Sequence, residues 1–289
     1  MSAPLEQKES GNVIFINLGY DIALGLPAAT TIVYVLQIHP SRTSDLVTSE
    51  NFRIEPRLPV EDYLDGFGNR CGRVNAPAGT IRFLSEAVIR DSGHPDPCVL
   101  SEPQNDVTSL PLETLAFVLP SRYCEVDSEL LDFAWSTFAH MPPGWRRVQA
   151  VCDFVHGHIR FDYMQARSNR TALQAFQERV GVCRDFTHLA ITLCRCLNFP
   201  ARYVTGYLGD IGVAPSPDPM DFSAWFEVFL GNRWYTFDAR HNARRIGRIV
   251  IGRGRDAGDV PITMAFGRHT LERFQVTTEQ VDGVNSLVG

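Results

Sequence analysis

Hydrophobic and polar positions follow two different periods along the chain. Short β-branched runs bounded by Gly or Pro occupy the first 120 residues and predict strands. These runs are residues 13–16, 31–36, 79–84 and 115–119, with a turn at residues 66–70. We therefore expect a small antiparallel β-rich domain over residues 1–120. Residues 91–111 contain four prolines and little periodicity, which is typical of a connector.

After Pro120 the spacing becomes helical. Apolar residues at helical intervals predict helices over 127–135 and 147–155. A third helix begins after the N-cap residue Thr171 and stops at Gly181, and a fourth runs over 183–197. Strands follow at 201–208, 222–230 and 233–238. Helices first and strands second predict an α+β fold for a second domain, residues 121–289.

The last two of these strands form a predicted hairpin with its turn at Gly231 and Asn232. If Leu230 lies opposite Arg233, alternation gives one apolar face, which we expect in the core. That face consists of Ala224, Phe226, Val228, Leu230, Tyr235 and Phe237. Ser223 and Asp238 then lie diagonally on the other, mixed face. A turn of a different length would change this register.

Composition excludes several classes of function. With 27 basic and 33 acidic residues the net charge is −6, so we expect no nucleic-acid partner. No apolar run reaches 18 residues, so we expect no transmembrane helix, and the first 20 residues lack the pattern of a secretory signal. Seven cysteines, an odd number in a long chain, fit a reducing compartment. We expect a cytoplasmic protein.

Cys183 differs from the other cysteines because it opens a predicted helix directly after Gly181 and Val182. Unpaired N–H groups and the positive end of the helix dipole stabilise a thiolate there, so we expect a lowered pKa for this thiol. The same N–H groups are suited to bind a developing oxyanion. We interpret the other six cysteines as small buried hydrophobic residues.

Four segments resemble the bacterial transglutaminase-like superfamily. They are GVCRDFTHLA at 181–190, ARYVTGY at 201–207, DFSAWFEV at 221–228 and WYTFD at 234–238. The amino-terminal third is similar to the β-rich module that precedes the core in many bacterial members. The resemblance implies a papain-like, transglutaminase-like core that acts on peptide or protein amide or isopeptide bonds through a thioester. It also implies a Cys-His-Asp triad, in which Cys183 is the nucleophile and Asp238 orients the histidine.

The chain departs from the family at the histidine, whose position is occupied by Ser223. A serine hydroxyl does not take up a thiol proton near pH 7. Three hypotheses stay open: a cysteine hydrolase that uses another base, a pseudoenzyme or binding module, and small-molecule thiol chemistry without a general base. For the first we expect hydrolysis rather than crosslinking. Lys8 is the only lysine, which disfavours extensive self-crosslinking but does not indicate the acceptor.

Other histidines are candidates to replace the missing base. His188 follows Cys183 by five residues, which turns it about 140° away on a helix and favours a structural role. His241 faces the core if the strand continues past Asp238, but returns to the site if the chain leaves the strand there. The sequence does not locate His156 and His158 relative to Cys183.

The remaining motifs indicate no metal or cofactor site, and two of them have both a structural and a functional interpretation. An arginine cluster over 240–255 is either a solvated face paired with Asp256 and Asp259 or a carboxylate-binding rim of the site. The spacing of Cys194 and Cys196 does not match a zinc site, and no calcium or phosphate loop appears, so we expect no metal and no cofactor. Residues 209–220, with three prolines, are either a substrate rim or a plain surface loop.

Overall fold

The computed structural model describes residues 13–216 and 219–282. Its strands are β1 (Ile14–Leu26), β2 (Thr30–Tyr34), β3 (Arg53–Glu55), β4 (Val60–Leu64), β5 (Arg70–Ala76), β6 (Gly79–Asp91), β7 (Arg160–Phe161), β8 (Val180–Gly181), β9 (Ala201–Tyr207), β10 (Ser223–Leu230), β11 (Arg233–Phe237), β12 (Ile249–Gly254), β13 (Thr263–Ala265) and β14 (Thr270–Val281). The α-helices are α1 (Leu130–Phe138), α2 (Trp145–His158), α3 (Ala172–Glu178) and α4 (Cys183–Cys196). The α+β class is confirmed.

Two antiparallel four-stranded sheets form the amino-terminal part, as the strand-like runs predict. Their strand orders are β14-β1-β6-β3 and β13-β2-β5-β4. The predicted turn at residues 66–70 joins β4 to β5. The strand predicted at residues 115–119 is wrong, because Leu112–Phe117 forms a 3₁₀ helix. Its backbone bonds are local, with the Thr114 N–H donating to Pro111 at 2.9 Å, and its buried Phe117 accounts for the apolar pattern.

The amino-terminal sheets include the end of the chain. Strand β14 pairs with β1 along almost its whole length, and β13 pairs with β2. The predicted division at residue 120 therefore does not describe residues 263–281, which belong by pairing to the first sheets. Sequence reasoning missed this because such contacts join segments about 250 residues apart, and local patterns carry no record of them.

The core is a sheet of order β11-β10-β9-β12 with α4 packed against β9 and β10. The hairpin register is confirmed, since Leu230 lies opposite Arg233 and Phe226 opposite Phe237. The predicted apolar face is buried in the main core. Pairing ends at Phe226 and Phe237, and the Asn242 N–H donates to the Asp238 carbonyl at 2.9 Å. The chain thus leaves the strand at Asp238 and turns back.

The helix before the site begins as predicted and ends differently. Thr171 caps α3 in a capping box with Gln174. Arg179, not Gly181, is the residue that ends the helix in the left-handed conformation, with φ 55°. Gly181 instead lies in β8, which pairs in parallel with β7. This short pairing leads the chain directly into α4.

The second face of the core sheet lies against the amino-terminal part. Trp225 packs there with Val204 and Val250, and the backbone N–H of His39 donates to Val250 at 2.9 Å. Beside them the buried carboxylate of Glu227 accepts hydrogen bonds from two arginines, Arg202 at 2.6 Å and Arg253 at 3.1 Å. The mixed face of the hairpin is therefore covered, and every residue of β10 is buried.

Candidate active site

Cys183 is the first residue of α4 and lines a pocket of about 490 Å³. Ser223 and His241 line the same pocket. The expectation of a lowered pKa is wrong: burial raises the pKa of the Cys183 thiol to about 11. The charge of Arg240 and the Ala224 backbone N–H lower it, but by less than burial raises it. The resting thiol is therefore protonated at neutral pH.

A buried ion pair fixes the start of α4. The Asp185 carboxylate accepts from Arg170 and from the Val182 backbone N–H, each at 2.9 Å. The two charged side chains are 0% and 2% exposed. Gly181 permits this approach, because a Cβ there would lie 2.6 Å from Asp185. The first turn of α4, which carries Cys183, is thus fixed through Asp185 by the Arg170 side chain and by the Val182 backbone.

Asp238 holds His241, which lines the same pocket as Cys183. Its Oδ2 accepts from His241 Nδ1 at 2.8 Å and from the guanidinium of Arg248 at 2.9 Å. Its Oδ1 accepts the backbone N–H groups of Arg240 and His241, each at 3.0 Å. Burial alone raises the pKa of Asp238, but Arg248 and His241 hold it well below its usual range. Asp238 is therefore ionised and accepts from all four groups.

The pocket wall contains two polar residues that sequence reasoning missed. Tyr163, in a short 3₁₀ turn after β7, donates from its hydroxyl to Asp221. Burial raises the pKa of Asp221, and the Tyr163 hydrogen bond partly offsets this rise. Asp221 lies just before β10, in one of the quoted motifs, but Tyr163 precedes it by 58 residues. Nothing in the local pattern joins the two.

The loop of residues 209–220 forms part of the pocket rim. Asp210, Val213, Ala214, Ser216, Pro219 and Met220 of this loop line the pocket, next to Leu208. The described part of the loop is thus placed at the pocket, Pro217 lies outside the described residues, and a contact with substrate stays a prediction. Arg240 adds a further wall, with its guanidinium 3.9 Å from the ring centre of Phe161.

The chain is similar to known proteins in sequence and in fold. Residues 136–239 match the model of the transglutaminase-like superfamily. A crystal structure of a candidate cysteine protease from Cytophaga hutchinsonii is similar, with a TM-score of 0.81 and 28% identity. The similarity covers 94% of this chain and 92% of that chain. Residues 136–239 therefore resemble the core of the transglutaminase-like superfamily.

Mycobacterial proteins are similar to this chain as well. An uncharacterized protein of Mycobacterium tuberculosis strain H37Rv is 28% identical over 288 residues, covering 83% of this chain and 89% of that protein. An uncharacterized protein of Mycobacterium leprae is 30% identical over 107 residues. That second match spans 35% of this chain and 38% of the relative.

Ser223 occupies the position at which the transglutaminase-like resemblance implies a histidine. It is the first residue of β10 and lies opposite Gly206 of β9. The residue is 5% exposed, and no described group makes a hydrogen bond to its hydroxyl. It lines the pocket beside Cys183 but offers no basic atom. The usual cysteine–histidine pair is therefore not available at this position.

The histidines outside the pocket have structural surroundings. His188 is fully buried and stacked on Tyr123, and its Nε2 accepts the Ala257 N–H at 3.1 Å. Burial holds the pKa of His188 well below its usual value. The expected structural role of His188 is confirmed. His156 Nδ1 lies 2.8 Å from the carbonyl of Arg240, and His158 Nε2 lies 2.7 Å from that of Phe176.

The arginine cluster is not one solvated face. Arg255 pairs with Asp259 as expected. Arg245 and Arg248, in contrast, are buried, and Arg245 pairs with Asp210 at the pocket. Their cost of burial is offset by the carboxylates of Asp210, Asp96 and Asp238, so the solvated interpretation is wrong for these two residues.

The other cysteines are free, and five of the six are buried, whereas Cys98 is exposed. Within residues 13–216 and 219–282, no group of three or more His, Cys, Asp or Glu side chains is arranged to hold a metal ion. In the same described part of the chain, no helix is both long and apolar enough to span a bilayer.

Proposed function

We propose that this transglutaminase-like protein is a cysteine hydrolase acting on amide or isopeptide bonds of peptides or proteins. The observation that carries the proposal is that one pocket is lined both by Cys183, at the start of α4, and by His241, which is bound to Asp238. These are the three chemical groups that a papain-like thiol mechanism needs. His241 takes the role of the histidine that Ser223 replaces.

The hydrogen bond to Asp238 fixes which nitrogen of His241 is basic. An ionised carboxylate only accepts, so Nδ1 carries the proton and Nε2 has a free lone pair. Among the described residues, no hydrogen bond is made to this Nε2. This supports His241 as the general base.

Because the Cys183 thiol is protonated at rest, its proton leaves during attack rather than before it. The sulfur bonds to the amide carbon while His241 takes the thiol proton. The carbon–nitrogen bond then breaks, and the amine leaves with that proton, which gives a thioester. Water attacks the thioester carbon while His241 takes a proton from the water. The carbon–sulfur bond then breaks, His241 returns that proton to the Cys183 sulfur, and the carboxylic acid is released.

A second candidate function is a binding module without turnover. Two observations favour it: Ser223 stands at the histidine position, and burial keeps the thiol neutral. Such a protein would hold a peptide in the same pocket and release it unchanged.

Turnover of a library of internally quenched peptides and of isopeptide-linked peptides separates the two. We expect the unchanged protein to cleave members of the library, Cys183→Ala to abolish cleavage, and His241→Gln to reduce kcat/KM about 100-fold or more. His269→Gln changes an exposed histidine outside the pocket and serves as the matched control.

Ser223→His tests the alternative directly. Under the proposed function, both the unchanged protein and this variant turn over substrate. If only Ser223→His cleaves, while unchanged protein and Cys183→Ala bind the same peptides equally, the protein is a binding module and the proposal of a hydrolase is wrong.

A further inference from the structure

A chain of charged side chains, buried at Arg248 and Asp238, lies behind the candidate base. Asp96, in the proline-rich connector, accepts from Arg248 Nε at 2.8 Å and from the Arg245 backbone N–H at 3.0 Å. The other end of the same guanidinium donates to Asp238 Oδ2 at 2.9 Å. Asp238 Oδ2 in turn accepts from His241. The order is therefore carboxylate, guanidinium, carboxylate and imidazole.

The guanidinium in this chain is held tightly. The side chain of Arg248 is 6% exposed, and its charged group lies 5.0 Å from the ring centre of Trp225. Its Nε and one terminal nitrogen are bound to two different carboxylates, so it has little freedom to rotate. A planar fork between two fixed acceptors is a rigid support for Asp238.

Arg248 and His241 compete for the same oxygen atom. Both donate to Oδ2 of Asp238, so the negative charge of this carboxylate is shared between a permanent cation and the imidazole. A carboxylate that is partly neutralised by arginine stabilises an imidazolium less than an unshared carboxylate does.

We propose that Arg248 is a positioning residue for the site: it aims Asp238 at His241, and its charge limits how readily His241 takes up a proton. Asp96 moderates this effect, because its carboxylate partly neutralises Arg248. The catalytic meaning of this inference rests on the proposed role of His241 as base, whereas the electrostatic coupling itself does not.

Other charged groups also face His241. Asp210, Asp221, Arg240 and Arg245 line the same pocket, together with Cys183 and Tyr163. From α2, Asp153 bonds to Asn242, and His156 bonds to the carbonyl of Arg240. All of these groups are retained in the variants below, so differences between variants report Arg248 and Asp96.

The test is the pH midpoint of the His241 ring signals, measured by NMR on the full-length protein, with His241→Gln used for assignment. We expect Arg248→Gln to raise the midpoint by about one pH unit, because a nearby like charge is removed. We expect Asp96→Asn to lower it, because the charge of Arg248 is then less compensated. Arg248→Lys keeps the charge and should move the midpoint less than Arg248→Gln.

The decisive result is a pH midpoint that rises in Arg248→Gln and falls in Asp96→Asn, because a purely structural disturbance does not predict shifts in opposite directions. Arg255→Gln removes an arginine from another aspartate pair, Arg255–Asp259, and should leave the midpoint unchanged. Asp96→Asn removes no cation, so it supplies a test that is independent of the folding of Arg248→Gln. An unchanged midpoint, or one that moves in the same direction in both variants, would overturn the inference. The midpoint is measurable without turnover, so a failure of the proposed hydrolase activity is a separate outcome.

Discussion

At the scale of single residues, Cys183 shows two opposing influences on one thiol. The start of a helix favours the thiolate, as does the Arg240 charge, yet partial burial of the sulfur disfavours its charged form. Burial has the larger effect on the pKa of the thiol. Cys183 is therefore neutral, although its place at the start of a helix predicts a thiolate. A nearby base is then needed for attack, and this is why the location of His241 matters more than the helix dipole.

Alkylation by iodoacetamide tests this state of Cys183. With a pKa raised to about 11 by burial, the thiolate is a small minority at pH 7. We expect the rate at Cys183 to rise about tenfold per pH unit from pH 7 to pH 10, because the thiolate is the reacting species. Peptide mass spectrometry separates this site from the exposed Cys98, and Cys183→Ala supplies the blank. A rate that levels off below pH 8 would contradict the raised pKa.

At the scale of secondary-structure elements, the sequence predicted what is decided locally. Helix α4 was predicted within one residue, and the two-residue turn at Gly231 and Asn232 set the hairpin register correctly. The capping residue Thr171 was also found, because its hydrogen bonds stay within one turn. Strands β12, β13 and β14 were missed, whereas their distant partners β9, β2 and β1 were predicted from local β-branched runs.

The candidate site likewise combines residues that the sequence predicts with residues that it does not predict. Cys183 and Asp238 stand in segments whose resemblance to a family is visible in the sequence. Arg248, Asp96 and Tyr163 come from a loop, a connector and a short 3₁₀ turn, and only the folded chain brings them to Asp238 and Asp221. Long side chains reaching across loops leave no periodic pattern, so these partners were not predictable.

The start of α4 gives a prediction at this scale. Arg170→Met removes the nearer cation from the buried Asp185 carboxylate and leaves Arg184 at 3.5 Å, so it should lower the free energy of unfolding by about 3 kcal/mol. Arg160→Met is the matched control, because that arginine is 70% exposed in its pair with Asp162 and should cost about 0.5 kcal/mol or less. Urea denaturation at pH 7 measures both. Equal losses in the two variants would show that the buried pair does not hold this helix.

At the scale of the whole molecule, the amino-terminal sheets and the core are joined by a polar contact as well as by strand pairing. His39 Nδ1 lies 3.2 Å from the guanidinium of Arg253, which also binds Glu227 of the core sheet. Nδ1 also accepts the Ser41 N–H at 3.1 Å. Both contacts require a neutral ring at Nδ1, so protonation of His39 conflicts with the way the two parts of the molecule meet.

The pH dependence of the free energy of unfolding tests this contact between His39 and Arg253. Burial, followed by the charges of Arg253 and Arg202, lowers the pKa of His39 to about 4, against an ordinary value of 6.5. Between these values the unfolded chain binds a proton at His39 that the folded chain does not, so the contribution of neutral His39 to stability is lost as pH falls from 6.5 to 4.

His39→Gln removes that dependence, so the loss in free energy of unfolding between pH 7 and pH 4.5 should shrink by about 2 kcal/mol. Urea denaturation at the two pH values gives the difference, with the exposed His94→Gln as control. His188, which is also buried and neutral, keeps its share of the acid sensitivity in both variants. If His39→Gln loses as much stability on acidification as the unchanged protein, the junction does not sense pH through His39.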